Sequence, residues 1–155
     1  IRDKTGSLIA LSAQLGALLS GAEEKYQEPL QKYGEIMGIA FQLSDDLIDI
    51  RSTSDESGKD AGTDILAGVP TLPVILLAKH ADPSSKELLE KIKSATPDSI
   101  KQVLTELRAH PVMDKAEEFA NQWGEKAISA IESLPAGSVK SALESFARAM
   151  VNRKG

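Results

Sequence analysis

Residues 41–50 read FQLSDDLIDI, and this stretch decides how the rest of the chain is interpreted. In an α-helix, at about 100° per residue, Gln42, Asp45, Asp46 and Asp49 fall within an arc of about 100°. The four polar side chains therefore share one face of a predicted helix. Apolar side chains flank this face on both sides, which is typical of a polar strip that lines a cleft between packed helices.

The three carboxylates of this face predict a divalent metal site. Carboxylates this close together repel and raise one another's pKa unless a cation lies among them. Oxygen ligands without cysteine or a nearby histidine favour Mg²⁺ or Ca²⁺ over zinc, and Mg²⁺ completes its coordination with water and substrate phosphate. A diphosphate is the implied ligand. Because Asp-Asp-x-x-Asp is a short pattern, an acidic turn on an exposed helix is the alternative.

The composition predicts one soluble globular unit over residues 1–155. Of the 155 residues, 41% are hydrophobic and 26% are charged, which argues against a disordered chain. The absence of cysteine excludes disulfides, thiolate metal sites and cysteine nucleophiles. A net charge of −5 argues against binding to nucleic acid or anionic lipid. The apolar stretches are too short or too interrupted for a transmembrane segment.

The periodicity predicts an all-α fold. Alanine, leucine, glutamate and lysine recur throughout, and no β-branched run alternates with a period of two. Gly21 is expected to stop the first helix, and Pro83 and Pro97 to start later ones. Residues 51–70, rich in serine, aspartate and glycine, read as a long polar loop, which is uncommon unless it binds something. The predicted helices cover residues 2–20, 24–51, 71–80, 84–94, 98–110, 112–133 and 138–153.

Cationic and glycine-rich residues near the acidic face strengthen the prediction of a diphosphate site. Gly58-Lys59 and Gly62-Thr63-Asp64 supply a cation and exposed backbone N–H groups just after the acidic helix. Lys4 and Thr5 add a charge and a hydroxyl at the start of the first helix, where free N–H groups also favour anions. Each residue alone is typical of a protein surface, whereas the combination is specific.

In these motifs the chain resembles the trans-polyprenyl diphosphate synthases, which include farnesyl and geranylgeranyl diphosphate synthases. Three motifs occur in the family's order: Lys-Thr-Gly at residues 4–6, Phe-Gln-x-x-Asp-Asp-x-x-Asp at residues 41–49, and Gly-Lys-x-x-Gly-x-Asp leading to Thr-Leu-Pro at residues 71–73. The resemblance covers nearly the whole chain as the C-terminal half of that family. It implies a helical bundle of the isoprenoid synthase type.

The resemblance also implies a role for each site residue in joining isopentenyl diphosphate to an allylic diphosphate. Ionisation, condensation and loss of a proton would follow one another. Mg²⁺ on the allylic diphosphate would be bound by Asp45 and Asp49, with Asp46 supporting the site and Asp64 holding metal-bound water. The remaining roles are diphosphate binding by Lys4 and Lys59, dipoles directed at the carbocation from Thr5 and Gln42, and substrate contacts by Phe41 and Arg153.

Two departures from the family pattern shape what is expected of this chain. The segment Gly68-Val69-Pro70-Thr71 lacks the lysine that many members carry in Gly-Lys-x-Thr. No second Asp-Asp-x-x-Asp occurs in the 155 residues, so the family's first aspartate-rich motif is missing. We therefore expect the N-terminal half to be absent from this chain and the chain to be inert without it.

Other expectations follow from the resemblance alone, namely a homodimer and a cytoplasmic location.

Two alternatives remain open at the level of sequence. A class I terpene cyclase would need an Asn and Ser/Thr metal motif that is not seen, whereas Gln42 and Lys59 suit a chain-elongating enzyme. A non-catalytic helical subunit that stabilises a partner prenyltransferase is the other alternative, although the three aspartates and both lysines are retained.

Overall fold

The computed structural model describes residues 6–52, 61–80 and 82–153, and these residues confirm the predicted all-α fold. A short 3₁₀ turn, Glu24–Tyr26, precedes the second helix. None of the helices in the described ranges is both long enough and apolar enough to cross a membrane. The helices are α1 (Ser7–Leu19), α2 (Gln27–Arg51), α3 (Thr63–Leu66), α4 (Leu72–Lys79), α5 (Pro83–Lys93), α6 (Ile100–Ala109), α7 (Val112–Ala130) and α8 (Ser138–Val151).

Two helix ends follow the predicted start and stop signals. Gly21 has a φ of 70°, and its N–H donates to the carbonyl of Leu18 at 3.2 Å. This left-handed residue ends α1, because a glycine adopts positive φ without steric cost. At the start of α5, the Asp82 carboxylate accepts the N–H of Ser85 at 2.9 Å. It caps one of the N–H groups that the first turn leaves without a partner.

Two of the boundaries that differ from the prediction have a clear local cause. The long polar loop contains a short helix, α3, which begins after Gly62 at a φ of 79°. Helix α6 begins at Ile100, two residues later than expected, because a turn precedes it. In that turn the N–H of Thr96 donates to Ser99 Oγ at 2.9 Å, and the N–H of Ile100 donates to the Thr96 carbonyl at 2.9 Å. Local side-chain bonds of this kind compete with helix formation.

The described residues group into two compact units, and each is described by itself. The first contains the chain up to Ser44 together with Phe119–Arg153. Tyr33 O–H donates to the Leu143 carbonyl at 2.8 Å, which joins α2 to α8 within this unit. The prediction of a single helical unit over the whole chain stays a prediction. The buried core of the first unit is formed by Tyr33, Met37, Ala127, Ile131, Leu134 and Ala147.

Within the first unit, α1 crosses α2 with the two backbones in contact. A Cβ atom on Gly34 would lie 2.6 Å from the Cα of Ala10, and a Cβ atom on Gly38 would overlap the Cα of Gly6. Only glycine fits at both positions without moving a backbone. The start of α1 is therefore held against the middle of α2.

The second unit, Asp45–Glu118, fixes the C-terminal end of α2. Arg108 Nε donates to the Ile50 carbonyl at 2.6 Å, and its Nη2 donates to the Ser52 carbonyl at 2.8 Å. The last carbonyls of a helix have no intrahelical partner, so the guanidinium supplies one. Helix α4 packs against α5, and α5 packs against α6. The core of this unit includes Leu47, Ile50, Leu77, Leu88, Leu104 and Leu107.

Candidate active site

The second half of α2 presents the acidic face at the edge of the packed core. Leu43, Leu47 and Ile50 are buried on the same helix, with 6, 4 and 0% of their surface exposed. Asp45 is exposed, whereas Asp46 and Asp49 are half-buried. The three carboxylates of the motif therefore differ in their exposure to solvent.

Asp46 is bonded to the start of α4. Its Oδ2 accepts the N–H of Leu72 at 2.8 Å, one of the N–H groups that the first turn of a helix leaves unpaired. Burial raises the pKa of Asp46 to about 6, the Leu72 N–H opposes that rise, and the charges of Asp64, Asp45 and Asp49 add to it. Asp46 thus links the acidic helix to the Thr-Leu-Pro segment, and its predicted supporting role at a metal site stays a prediction.

Asp49 lies beside Asp64, the acidic residue in the first turn of α3. Burial raises the pKa of Asp49, the charge of Asp64 raises it further, and the backbone N–H groups of Asp64 and Gly62 lower it in part. Among the described residues, Asp49 Oδ2 is buried and has no hydrogen-bond partner. A buried carboxylate oxygen without a partner is costly, and a bound water or cation would relieve that cost.

The aspartates fit a divalent cation as part of a ligand set. In residues 6–52, 61–80 and 82–153, no three acidic or histidine side chains are arranged to hold a metal ion by themselves. A bound cation would contact the Asp49 oxygen that has no partner among the described residues. It would also offset the mutual repulsion of Asp46, Asp49 and Asp64. Substrate phosphates and water can complete the coordination of Mg²⁺.

The raised pKa of Asp46 predicts how stability depends on pH in the metal-free chain. The folded pKa, about 6, lies above the ordinary value of 3.8, so the ionised carboxylate is disfavoured in the fold. This cost is absent below about pH 4, grows as the pH rises, and is complete above about pH 6. We expect Asp46→Asn to raise the free energy of unfolding by about 1 kcal/mol at pH 7.5, allowing for the partial exposure of the group, and by much less at pH 4.

Urea denaturation of both proteins at the two pH values checks this prediction. Asp46→Ala is the matched control, because it also removes the charge but leaves the Leu72 N–H without its acceptor. The alanine variant should be less stable than the asparagine variant by about 1 kcal/mol at both pH values. An asparagine variant whose stability follows the same pH profile as the unsubstituted chain would contradict the argument.

The structure brings together two further residues of the predicted site, Phe41 and Arg153. The Arg153 guanidinium lies 4.2 Å from the centroid of the Phe41 ring, and its Nη2 donates to the Phe41 carbonyl at 3.3 Å. Gln42, the next residue of α2, is half-buried. Arg153 is therefore held against the turn that starts the Phe-Gln motif, and its contact with substrate stays a prediction.

Three predicted site residues, Lys4, Thr5 and Lys59, lie outside the described residues, and their roles stay predictions. Sequence reasoning missed two contributions that the structure shows. Ser44 is 2% exposed and bonds to the end of α8, and Gly38 admits the backbone of α1. The available signals were a serine within the acidic motif and two glycines four residues apart inside a helix, where glycine is otherwise unfavourable.

Comparison with known proteins places these features in one family. The polyprenyl synthetase family model matches residues 1–107. The chain is 37% identical to nonaprenyl diphosphate synthase from Mycobacterium tuberculosis, covering 100% of this chain and 47% of the relative. It is 35% identical to heptaprenyl diphosphate synthase component 2 from Bacillus subtilis, covering 99% of this chain and 44% of the relative. The chain thus spans about half the length of the curated relatives it matches.

Solved structures show the same fold. The polyprenyl synthase from Caulobacter crescentus, complexed with calcium and isoprenyl diphosphate, superposes with a TM-score of 0.86 at 30% identity, covering 100% of this chain and 48% of that one. The geranylgeranyl pyrophosphate synthase from Corynebacterium glutamicum, also complexed with calcium and isoprenyl diphosphate, gives a TM-score of 0.86 at 33% identity. This match covers 100% of the present chain and 49% of the Corynebacterium chain. With its fold, its motif order and the family match in agreement, this chain belongs to the polyprenyl synthetase family.

Proposed function

We propose that this chain is the C-terminal half of a trans-polyprenyl diphosphate synthase, which joins isopentenyl diphosphate to an allylic diphosphate. The observation that carries the proposal is the buried Oδ2 of Asp49, which has no hydrogen-bond partner within the described ranges and whose carboxylate interacts with the charges of Asp46 and Asp64. A site that concentrates negative charge at the edge of the core is suited to a cation and the diphosphate bound to it.

The proposed metal is Mg²⁺, held by Asp45 and Asp49 with Asp46 in support. When bound, it would neutralise the negative charge that develops on the leaving diphosphate. The calcium in the Caulobacter and Corynebacterium synthases belongs to those proteins, and it supports a divalent ion in this family. Asp46 keeps one carboxylate oxygen for this role while the other holds the N–H of Leu72.

The chain's own residues would bind and orient the substrates. Lys4 and Lys59 would hold diphosphate oxygens, where positive charge favours the departing anion. Gln42 and Thr5 would direct their oxygen dipoles at the allylic carbon as positive charge develops there. Phe41 and Arg153 would contact the substrate from the turn at which they meet.

The exposed face of α1 supports an N-terminal half as the partner of this chain. Four leucines of that helix, spaced three and four residues apart, are 64, 49, 43 and 59% exposed: Leu8, Leu11, Leu15 and Leu18. The helix contains no charged residue. A cavity of about 330 Å³ adjoins it, lined in part by Leu11, Gln14 and Gln31. An apolar, uncharged face of this kind fits a packed helix of an N-terminal half. The proposed homodimer and cytoplasmic location rest on family resemblance.

The proposal is tested by measuring condensation of isopentenyl diphosphate with allylic primers in Mg²⁺. The chain is assayed alone and together with an N-terminal half that carries the first aspartate-rich motif. We expect longer isoprenoid diphosphates only from the combination, and none after the metal is removed with EDTA. Turnover by the chain alone would refute the divided site, and an inactive combination that still assembles would favour the non-catalytic subunit.

A further inference from the structure

The last turn of α8 is bonded to α2 at the start of the acidic stretch. Ser44 Oγ donates to the Met150 carbonyl at 3.0 Å and lies 3.3 Å from the Val151 carbonyl. The last carbonyls of a helix have no N–H partner within the helix, so a buried hydroxyl that reaches them acts as a cap from another element. Only 2% of the surface of Ser44 is exposed, so bulk water cannot replace these carbonyl oxygens as its hydrogen-bond partners.

The residues that follow α8 return to the same turn of α2. Arg153 lies over the Phe41 ring, at 4.2 Å from its centroid, and donates to the Phe41 carbonyl at 3.3 Å. The negative face of an aromatic ring attracts a guanidinium, and the carbonyl adds a second point of attachment. The backbone of Phe41 and the side chain of Ser44 are thereby both held by residues 150–153.

We infer that Ser44 is a positioning residue, and that it forms with Met150, Val151 and Arg153 a C-terminal clamp on residues 41–44. The inference rests on the proposed function, because this turn carries Phe41 and Gln42 toward the substrates. A side chain displaced by about 1 Å can lower a rate by about 10²-fold, so a fixed turn has a direct effect on catalysis. The clamp acts through the turn and not by touching the reacting atoms.

The same pair of helices offers a matched control. Tyr33 O–H donates to the Leu143 carbonyl at 2.8 Å, so it also links α2 to α8 by a bond from a side chain to a backbone carbonyl. Tyr33 lies eleven residues before Ser44 in the sequence, or about 16 Å along the helix. Tyr33→Phe therefore removes a comparable link at a distance from the Phe-Gln motif.

The experiment measures kcat and KM in the complete synthase, this chain together with its N-terminal half, for Ser44→Ala, Tyr33→Phe, Arg153→Gln and the double variant Ser44→Ala/Arg153→Gln. We expect Ser44→Ala to lower kcat about tenfold and Tyr33→Phe to change it less than about twofold. The double variant should lose less activity than the product of the two single losses, because part of each loss comes from the same clamp. Equal kcat in Ser44→Ala and Tyr33→Phe, or a loss in the double variant equal to the full product of the single losses, would overturn the inference.

Amide hydrogen exchange in the same proteins separates the clamp from the proposed function. Ser44→Ala should speed exchange of residues 41–45 by about tenfold or more, whereas Tyr33→Phe should leave those amides near their unsubstituted rates. If the unsubstituted complex shows no condensation, the proposed function fails and hydrogen exchange still decides the clamp. Unchanged exchange at residues 41–45 in Ser44→Ala would overturn it.

Discussion

Asp49→Asn is expected to lower Mg²⁺-dependent condensation by about 10³-fold while making the metal-free protein more stable. The two effects have opposite signs because the carboxylate that we propose as a metal ligand is disfavoured by burial in the metal-free fold. Burial and the charge of Asp64 raise the pKa of Asp49, so the ionised group is disfavoured in the folded chain without a cation. A neutral amide of the same size removes that cost, and it also removes a proposed metal ligand.

Three measurements on the complete synthase check this prediction, namely condensation rate, thermal unfolding without metal, and the shift in thermal midpoint when Mg²⁺ is added. A ligand that binds only the folded state raises the midpoint, so the unsubstituted protein should respond to Mg²⁺ more strongly than the variant. Asp114→Asn makes the same chemical change at an exposed position in the first turn of α7. It should leave the condensation rate and the Mg²⁺-induced shift unchanged, and it should lower the stability by about 0.5 kcal/mol, because a negative charge at a helix N-terminus is stabilising. A tenfold or smaller loss of rate in Asp49→Asn, or lower stability of that variant without metal, would contradict the argument.

The features that sequence predicted correctly depend on local chemistry. Helix α2 follows from periodicity, the end of α1 follows from the positive φ of Gly21, and the start of α5 follows from the Asp82 cap. Each signal operates within a few residues of the chain. The shared face of Asp45, Asp46 and Asp49 is likewise a property of one helix, so its composition could be derived before any tertiary contact was known.

The features that sequence did not predict join residues far apart in the chain. Asp46 bonds to the N–H of Leu72, and Ser44 bonds to the carbonyl of Met150. Neither residue type nor spacing specifies such a partner, because any buried polar group can satisfy an unpaired helix end. Sequence predicted which residues form the acidic face. The raised pKa values of Asp46 and Asp49 come first from burial, and residues 62–72, which return to the helix, add the charge of Asp64 and the hydrogen bonds that oppose the rise.

The close crossing of α1 and α2 predicts a large effect for Gly38→Ala. The added Cβ atom would overlap the Cα of Gly6 and lie 3.0 Å from its nitrogen, so a backbone must move to accept it. We expect a loss of about 3 kcal/mol in the free energy of unfolding, as for an overpacked core. Gly16→Ala is the control, since a Cβ atom there meets nothing within 4 Å, and it should stabilise α1 by about 0.7 kcal/mol.

The crossing also lies close to a residue of the proposed site, since Gly38 precedes Gln42 by four residues, about one helical turn. Gly38→Ala should therefore lower the condensation rate of the complete synthase by about 10²-fold, measured where the protein remains folded. Gly34→Ala, which presses on the Cα of Ala10 at 2.6 Å, opens the same crossing farther from Gln42. Gly34→Ala should lower the free energy of unfolding by a similar amount to Gly38→Ala but should lower the condensation rate less, because the start of α1 remains in contact with α2 at Gly38. Equal losses of activity in the two variants would show that the crossing serves folding alone.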